Sequence, residues 1–231
     1  MKMNIEILHK EQGAALAQGV TVIIDVFRAF TLESYLFHNG IEKIYAVGDK
    51  ETACALKKEH PEYILIGERH GRILPGFDYG NSPSAIEHLD MHGKTAVHTT
   101  SNGTQGIKDA VHASTILTGA LVNAKATADY IESMKPEHVS LVCMGWEGKD
   151  TEEDQLCAEY LKSLLEHNPM KDIDRKASDL RYSEGKKFFD PAQQDVFPQA
   201  DFNLCIARNI FPFAIKAEKE NGLAVMHAVS L

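Results

Sequence analysis

Residues 20–26 read Val-Thr-Val-Ile-Ile-Asp-Val, an almost unbroken run of β-branched side chains. Such a run has no polar face to offer water, so it fits a strand covered on both sides, as the strands of parallel α/β sheets are. The segments around it alternate in kind. Strands are predicted at 3–8, 20–26, 43–47, 63–66, 95–99, 115–118 and 139–143. Helices are predicted at 28–39, 50–59, 83–90, 104–112, 120–134 and 151–167, and residues 9–18 fit either a helix or an exposed turn. This alternation predicts a doubly wound α/β fold, with a mostly parallel sheet and helices on both faces.

Asn168-Pro169 breaks the pattern, and 171–200 is a charged stretch interrupted by Pro191 and Pro198. Short helices are expected at 175–185 and 201–209, then a closing pair of strands near 210–217 and 223–228 joined at Asn221-Gly222. Asn-Gly signals a two-residue type I′ turn, although the charges before it leave a wider loop open. No clean linker appears. The expectation is one domain over 1–231, with a C-terminal subdomain at 171–231 as the variant.

Composition narrows the partners. A formal net charge of −9 argues against nucleic acid and anionic membranes as ligands. No stretch approaches the roughly 18 apolar residues of a membrane span. Cys54, Cys143, Cys157 and Cys205 form no C-x-x-C pair, as expected of reduced thiols in the cytoplasm.

Ligands of open α/β sheets bind beyond the carboxyl ends of the strands, and the polar clusters of this chain fall there. Asp25-Val-Phe-Arg28 closes the strand at 20–26. Asp25 suits Mg²⁺ and Arg28 suits a phosphate at a helix start, although a helix cap with its salt-bridge partner would look the same. Residues 67–83, GERHGRILPGFDYGNSP, pack Glu68, Arg69, Arg72, Asp78 and Asn81 between glycines and prolines. That is far longer than the roughly 2–6 residues a connection needs. Ser82 and Pro83 would cap and start the helix that follows. Asp78 reads equally as a metal ligand or as a loop brace bonded to Gly80. Residues 99–104, TTSNGT, suggest a cradle of backbone N–H groups for an anion, or an ordinary N-cap cluster. The cradle lacks the lysine of a nucleotide-binding P-loop. The stretch from Cys143 to Asp154 leaves a strand through two glycines and opens a helix with acidic residues. Helix-dipole preferences explain those acids without any metal. Cys143 itself reads as a small core residue.

Taken together, IDVFRAFT (24–31), GER-x-G (67–71), GFDYGNSP (76–83), TTSNGT (99–104) and C-x-G-x-x-G with the later Glu153-Asp154 resemble the 2-phosphosulfolactate phosphatase family. A weaker match runs from Asp201 to Cys205 and on to the end. The resemblance implies a Mg²⁺-dependent phosphatase of coenzyme M biosynthesis. It would hydrolyse a phosphorylated, sulfonated small acid, and a homo-oligomer is left open. It leads us to expect Mg²⁺ on carboxylates drawn from Asp25, Glu68, Asp78 and Asp154, and chemistry by Asp25, Arg28, Glu68 and Arg69. Substrate contacts are expected from Arg72, Asn81, Ser82, Thr99, Thr100, Ser101, Asn102 and Gly103. The attacking group is either water or an aspartate, Asp25 first. Two other readings stay open: a phosphatase of another small phosphorylated hydroxy acid, and a non-catalytic anion sensor on the same fold.

Overall fold

The structure is a computed structural model and describes residues 3–231. In chain order its elements are β1 (Asn4–His9), α1 (Lys10–Leu16), β2 (Gly19–Ile24), α2 (Ala29–His38), β3 (Lys43–Ala46), α3 (Lys50–Glu59), β4 (Ile64–Arg69) and β5 (Arg72–Ile73). There follow β6 (Thr95–Thr99), α4 (Gly103–Asp109), β7 (Ala113–Gly119), α5 (Ala124–Met134), β8 (His138–Cys143) and α6 (Glu152–Leu165). The tail holds α7 (Ile173–Asp179), several 3₁₀ turns, α8 (Gln199–Ile206), β9 (Ala214–Glu220) and β10 (Leu223–Val229). The ambiguous stretch at 9–18 is thus a helix.

The strands form one sheet in the order β1-β8-β2-β7-β9-β10-β3-β6-β4-β5. It contains two parallel blocks, β1-β8-β2-β7 and β3-β6-β4. The hairpin β9–β10 lies between them, antiparallel to β7 on one side and to β3 on the other. The mostly parallel α/β architecture is therefore as expected, with its mixed part C-terminal in sequence. In space, however, the last two strands are central and weld the blocks together. Glu220 pairs with Leu223 across Asn221 and Gly222, whose φ values are 50° and 86°. Positive φ at both positions is the type I′ requirement, so the preceding charges do not widen the turn.

The β-branched run behaves as its composition demands. Val22, Ile23 and Ile24 are fully buried, Val22 and Ile24 in one apolar core and Ile23 in another. The first core also takes Phe188, Phe197 and Phe202, so the charged tail shares it with β2 and β8, Phe188 and Phe202 meeting Phe27 just after β2. The second joins Ile23 and Val142 of one block to Ile44, Ile66 and Ala96 of the other, around Phe30 and Leu36 of α2. Both blocks thereby close on a common apolar centre.

One predicted helix is absent. Residues 83–90 contain only a 3₁₀ turn at Pro83–Ala85. Pro83 starts it as expected, but the Ser82 hydroxyl goes to Asp201 instead of capping. The Ile86 carbonyl is taken by the Asn39 side chain at 2.6 Å, which competes with helical bonding beyond that point. No helix among the described residues is long and apolar enough to cross a membrane.

Candidate active site

The carboxyl ends of β2, β4, β6 and β8 meet at one pocket. Asp25, Phe27 and Arg28 reach it after β2, and Glu68 and Gly71 from β4 and its turn. Ser101 and Asn102 follow β6, and Gly145 and Trp146 follow β8. Asn81 and, from the tail, Lys187 and Phe197 complete the lining.

Asp25 is the most available carboxylate. Its Oδ1 accepts the N–H of Ala29 at 3.2 Å, and its Oδ2 accepts no hydrogen bond from the described residues. A Cβ added at Gly103 would sit 3.0 Å from that Oδ2, so glycine is what lets the start of α4 approach the carboxylate. Burial pushes Asp25 up to about 8; Asp154 and Glu68 push the same way, and the Ala29 N–H opposes them. Such crowding of buried negative groups is relieved by a cation.

Glu68 and Asp154 act as fasteners. Glu68 Oε2 accepts the Gly71 N–H at 2.7 Å, while Oε1 accepts both the N–H and the hydroxyl of Ser101 at 3.0 Å. That carboxylate ties the turn after β4 to the loop after β6. Asp154 lies behind the lining, accepting the N–H groups of Val26 and Gly145, each at 2.9 Å. It joins the loops after β2 and β8, and burial together with Glu153 pushes it up to about 8.

The long stretch 67–83 is a folded hairpin. β4 turns through His70 and Gly71 (φ 55° and 79°) into β5, and the chain returns to pair Tyr79 with Ile66. Strand alternation then sorts its side chains, sending Glu68 inward and Arg69 away. Arg69 donates to the Glu68 carbonyl at 2.6 Å, to Thr99 Oγ1 at 3.2 Å and to the Gly48 carbonyl at 3.4 Å, outside the pocket lining. Arg72 is exposed and faces Asp195 at 3.3 Å. Asp78 Oδ2 accepts the Leu65 N–H at 2.8 Å, bracing the start of β4 away from the pocket. Arg69, expected as a catalyst, Arg72, expected as a substrate contact, and Asp78, expected as a metal ligand, thus all lie outside the pocket lining. The brace at Asp78 uses Leu65, not Gly80.

Arg28 Nη1 donates to Asp201 Oδ2 at 2.6 Å, and Nη2 donates to the Gly71 carbonyl at 3.2 Å. The guanidinium stacks 4.8 Å from the centroid of Phe197. Asp201 Oδ1 accepts the Ser82 hydroxyl and both the N–H and the hydroxyl of Ser84, so Ser82 stands behind Arg28.

The 99–104 loop is also less open than expected. Thr100 and Thr104 exchange N–H to Oγ1 bonds at 3.3 and 3.1 Å, and the Ser101 N–H is held by Glu68. These three N–H groups are engaged internally and are not offered to an anion. Thr99 accepts Arg69, and Gly103 serves as a spacer. Ser101 and Asn102 alone from this loop line the pocket, Asn102 donating to the Gly145 carbonyl at 2.8 Å.

Sequence reasoning missed Lys187, Trp146 and Phe197. Lys187 Nζ rests 4.1 Å from the Trp146 ring centroid and 5.3 Å from that of Phe197. No carboxylate among the described residues lies within 4.0 Å of it. Burial lowers its pKa, and the Arg28 charge acts in the same direction against the pull of Glu153, Glu184 and Asp25. The only signal in the sequence was one lysine among many in a charged tail. Cys143 is buried, and burial pushes its thiol up, which suits a core residue.

Of the carboxylates from which metal ligands were expected to be drawn, Asp25 and Glu68 line the pocket, Asp154 stands behind it and Asp78 lies away from it. Among the described residues no cluster of three or more His, Cys, Asp or Glu could hold an ion. What the pocket offers is one carboxylate with an unengaged oxygen. That fits Mg²⁺, which takes one or two carboxylates and completes its shell with water and phosphate oxygens.

Strand ends converging on buried carboxylates and two cationic side chains define an α/β protein with a polar pocket at the carboxyl ends of its strands. The chain belongs to the 2-phosphosulpholactate phosphatase family, whose model matches residues 6–219. It is 28% identical over 98% of its length to a probable 2-phosphosulfolactate phosphatase of Bacillus subtilis (strain 168), covering 99% of that protein. Similar proteins bearing the same name occur in Synechococcus sp. (strain CC9605), at 38% identity over 72% of this chain and 71% of the relative. Another is found in Carboxydothermus hydrogenoformans, at 39% over 71% of this chain and 68% of the relative. The resemblance read from the motifs is thereby borne out.

Proposed function

We propose that this chain is a Mg²⁺-dependent phosphatase that hydrolyses 2-phosphosulfolactate to sulfolactate and phosphate. The observation that carries the reading is the meeting of Asp25, with its free oxygen, and two cationic side chains, Arg28 and Lys187, in one pocket. Family membership supplies the reaction class.

In this reading Asp25 holds the metal ion, and Glu68 and Asp154 keep the surrounding loops in register. Mg²⁺ bound there supplies positive charge against the phosphoryl oxygens. Arg28 uses Nη1 on Asp201 and Nη2 on Gly71, and the rest of its five N–H groups remain to meet those oxygens. Water adds to phosphorus, the ester P–O bond breaks, and the proton lost by the water ends on the leaving oxygen. Fixed charges count for most here, because uncatalysed monoester hydrolysis needs acceleration of up to about 10²¹-fold. Lys187 meets the second acidic group of the substrate, the carboxylate or sulfonate. We assign the enzyme to the cytoplasm, a reading supported by its four unpaired cysteines.

Phosphate release should be followed from 2-phosphosulfolactate and from a panel of phosphorylated hydroxy acids, with Mg²⁺ and with a chelator. Release only from the sulfonated ester and only with Mg²⁺ supports the full reading. Turnover that survives the chelator refutes the metal. Faster turnover of a non-sulfonated acid reassigns the substrate, and binding without release identifies a sensor.

A further inference from the structure

A row of buried polar side chains leads from α2 to the pocket. Glu33 and His98 are both fully buried. Glu33 Oε1 lies 2.7 Å from His98 Nδ1, and His98 Nε2 lies 2.9 Å from Asn81 Oδ1. Asn81 lines the pocket.

The donors in this row follow from chemistry. An amide oxygen only accepts, so His98 Nε2 carries a proton. In a neutral imidazole Nδ1 is then an acceptor, which requires Glu33 to donate as a carboxylic acid. The competing arrangement is a buried imidazolium–carboxylate pair. Burial opposes both of its charges, pushing Glu33 well above the usual carboxylate range and drawing His98 down to about 4. Glu33 Oε2 also has no partner, which is more costly for an ionised carboxylate than for a neutral acid. The row is thus neutral, with every donor pointing toward the pocket.

The consequence lies at Asn81. An unsupported amide turns over readily and would present its oxygen to an anion in half of its orientations. Here the oxygen is engaged by His98, and the NH₂ group is left for the pocket.

We propose that Glu33 and His98 are positioning residues that hold Asn81 with its amide N–H groups facing the pocket, where it donates to the phosphoryl oxygens of the bound ligand. The inference rests on the phosphatase reading above for the identity of that ligand. It adds an uncharged donor beside Arg28 and Lys187, and it gives a role to a glutamate and a histidine that touch no substrate.

The test uses inorganic phosphate as the probe, measured by calorimetry with Mg²⁺ present, together with kcat, KM and melting temperature. Asn81→Ala should weaken phosphate binding about 10-fold, and Asn81→Asp, which turns a carboxylate toward the anion, about 100-fold. Glu33→Gln still donates to Nδ1 and should stay within about 2-fold of wild type. Glu33→Leu cannot donate and should match Asn81→Ala, with the double variant no weaker than either alone. Wild-type affinity in Asn81→Ala would overturn the proposal, as would a loss in Glu33→Gln as large as in Asn81→Ala. If Glu33→Leu does not fold, those two variants still decide. Wild-type protein that binds no phosphate also overturns the relay. Protein that binds phosphate yet hydrolyses no ester would instead defeat the phosphatase reading and leave the relay standing.

Discussion

Arg28 and Lys187 bring positive heads to the same pocket by opposite means. Arg28 follows a central strand and meets Asp201 at 2.6 Å, both side chains almost wholly buried, so the pair carries no net charge. Lys187 arrives from the tail and lies against the rings of Trp146 and Phe197 with no carboxylate in ion-pair range among the described residues. The first is architecture: its guanidinium plane is fixed, and what remains of its donors is oriented in advance. The second is an uncompensated charge, resting on aromatic faces that tolerate a cation without neutralising it. A ligand with two acidic groups suits this division, one group meeting a fixed fork and the other a free ammonium.

The most drastic way to break the contrast is to remove Asp25, the carboxylate that shares the pocket with both cations. Asp25→Asn should lower turnover at least about 100-fold while the melting temperature holds or rises, because a buried amide costs less than a buried carboxylate. Steady-state phosphate release and thermal melts check both halves. Next, Asp201→Ala turns Arg28 into a buried cation without its partner and should cost about 3–5 kcal/mol in denaturant unfolding. Lys187→Met removes only the free charge. It should raise KM about 10-fold for esters bearing a second acid group, leave simple phosphomonoesters unaffected, and leave stability unchanged or higher. Equal losses on both substrate types would refute the role given to Lys187.

A smaller effect concerns the neutral pair behind the pocket. Glu33 is raised by burial, so its stabilising contribution is complete below the unfolded-state value of about 4.5 and is lost as pH rises through the folded-state value. His98 is depressed from 6.5 to about 4, so its contribution is complete above 6.5 and is lost as pH falls toward 4. Glu33→Gln should therefore flatten the alkaline decline in melting temperature and leave the acid-side decline in place. The smallest effect is expected at Arg72, whose removal should change neither KM nor stability measurably.

The sequence made some of this visible for definite reasons. The β-branched run at 20–24 and the strand–helix alternation follow from local burial, so the α/β architecture was readable. The order of strands was not, because the place of β9–β10 depends on pairing between distant segments. Asp25, Arg28, Glu68, Asn81, Ser101 and Asn102, all singled out from recognisable motifs near strand ends, do line one pocket. The placement of Arg69, Arg72 and Asp78 outside the lining was not readable, since a charged loop hides its own hairpin and the alternation that turns its arginines away. Lys187 carried no local signal at all. Glu33 and His98 did: a carboxylate inside the apolar helix AFTLESYLFH and an imidazole in the strand TAVHT are each out of place unless paired.

The central position of the β9–β10 hairpin has a consequence for biogenesis. Residues 214–229 are synthesised after the strands of both parallel blocks, yet they lie between β7 and β3 in the finished sheet. Until they emerge, each parallel block keeps an unpaired inner edge of backbone N–H and C=O groups, the kind of edge that recruits other chains. The two blocks therefore wait as exposed halves, and the sheet is completed by an insertion. A nascent chain arrested before residue 214 should bind chaperones and aggregate far more readily than one that includes residues 214–229.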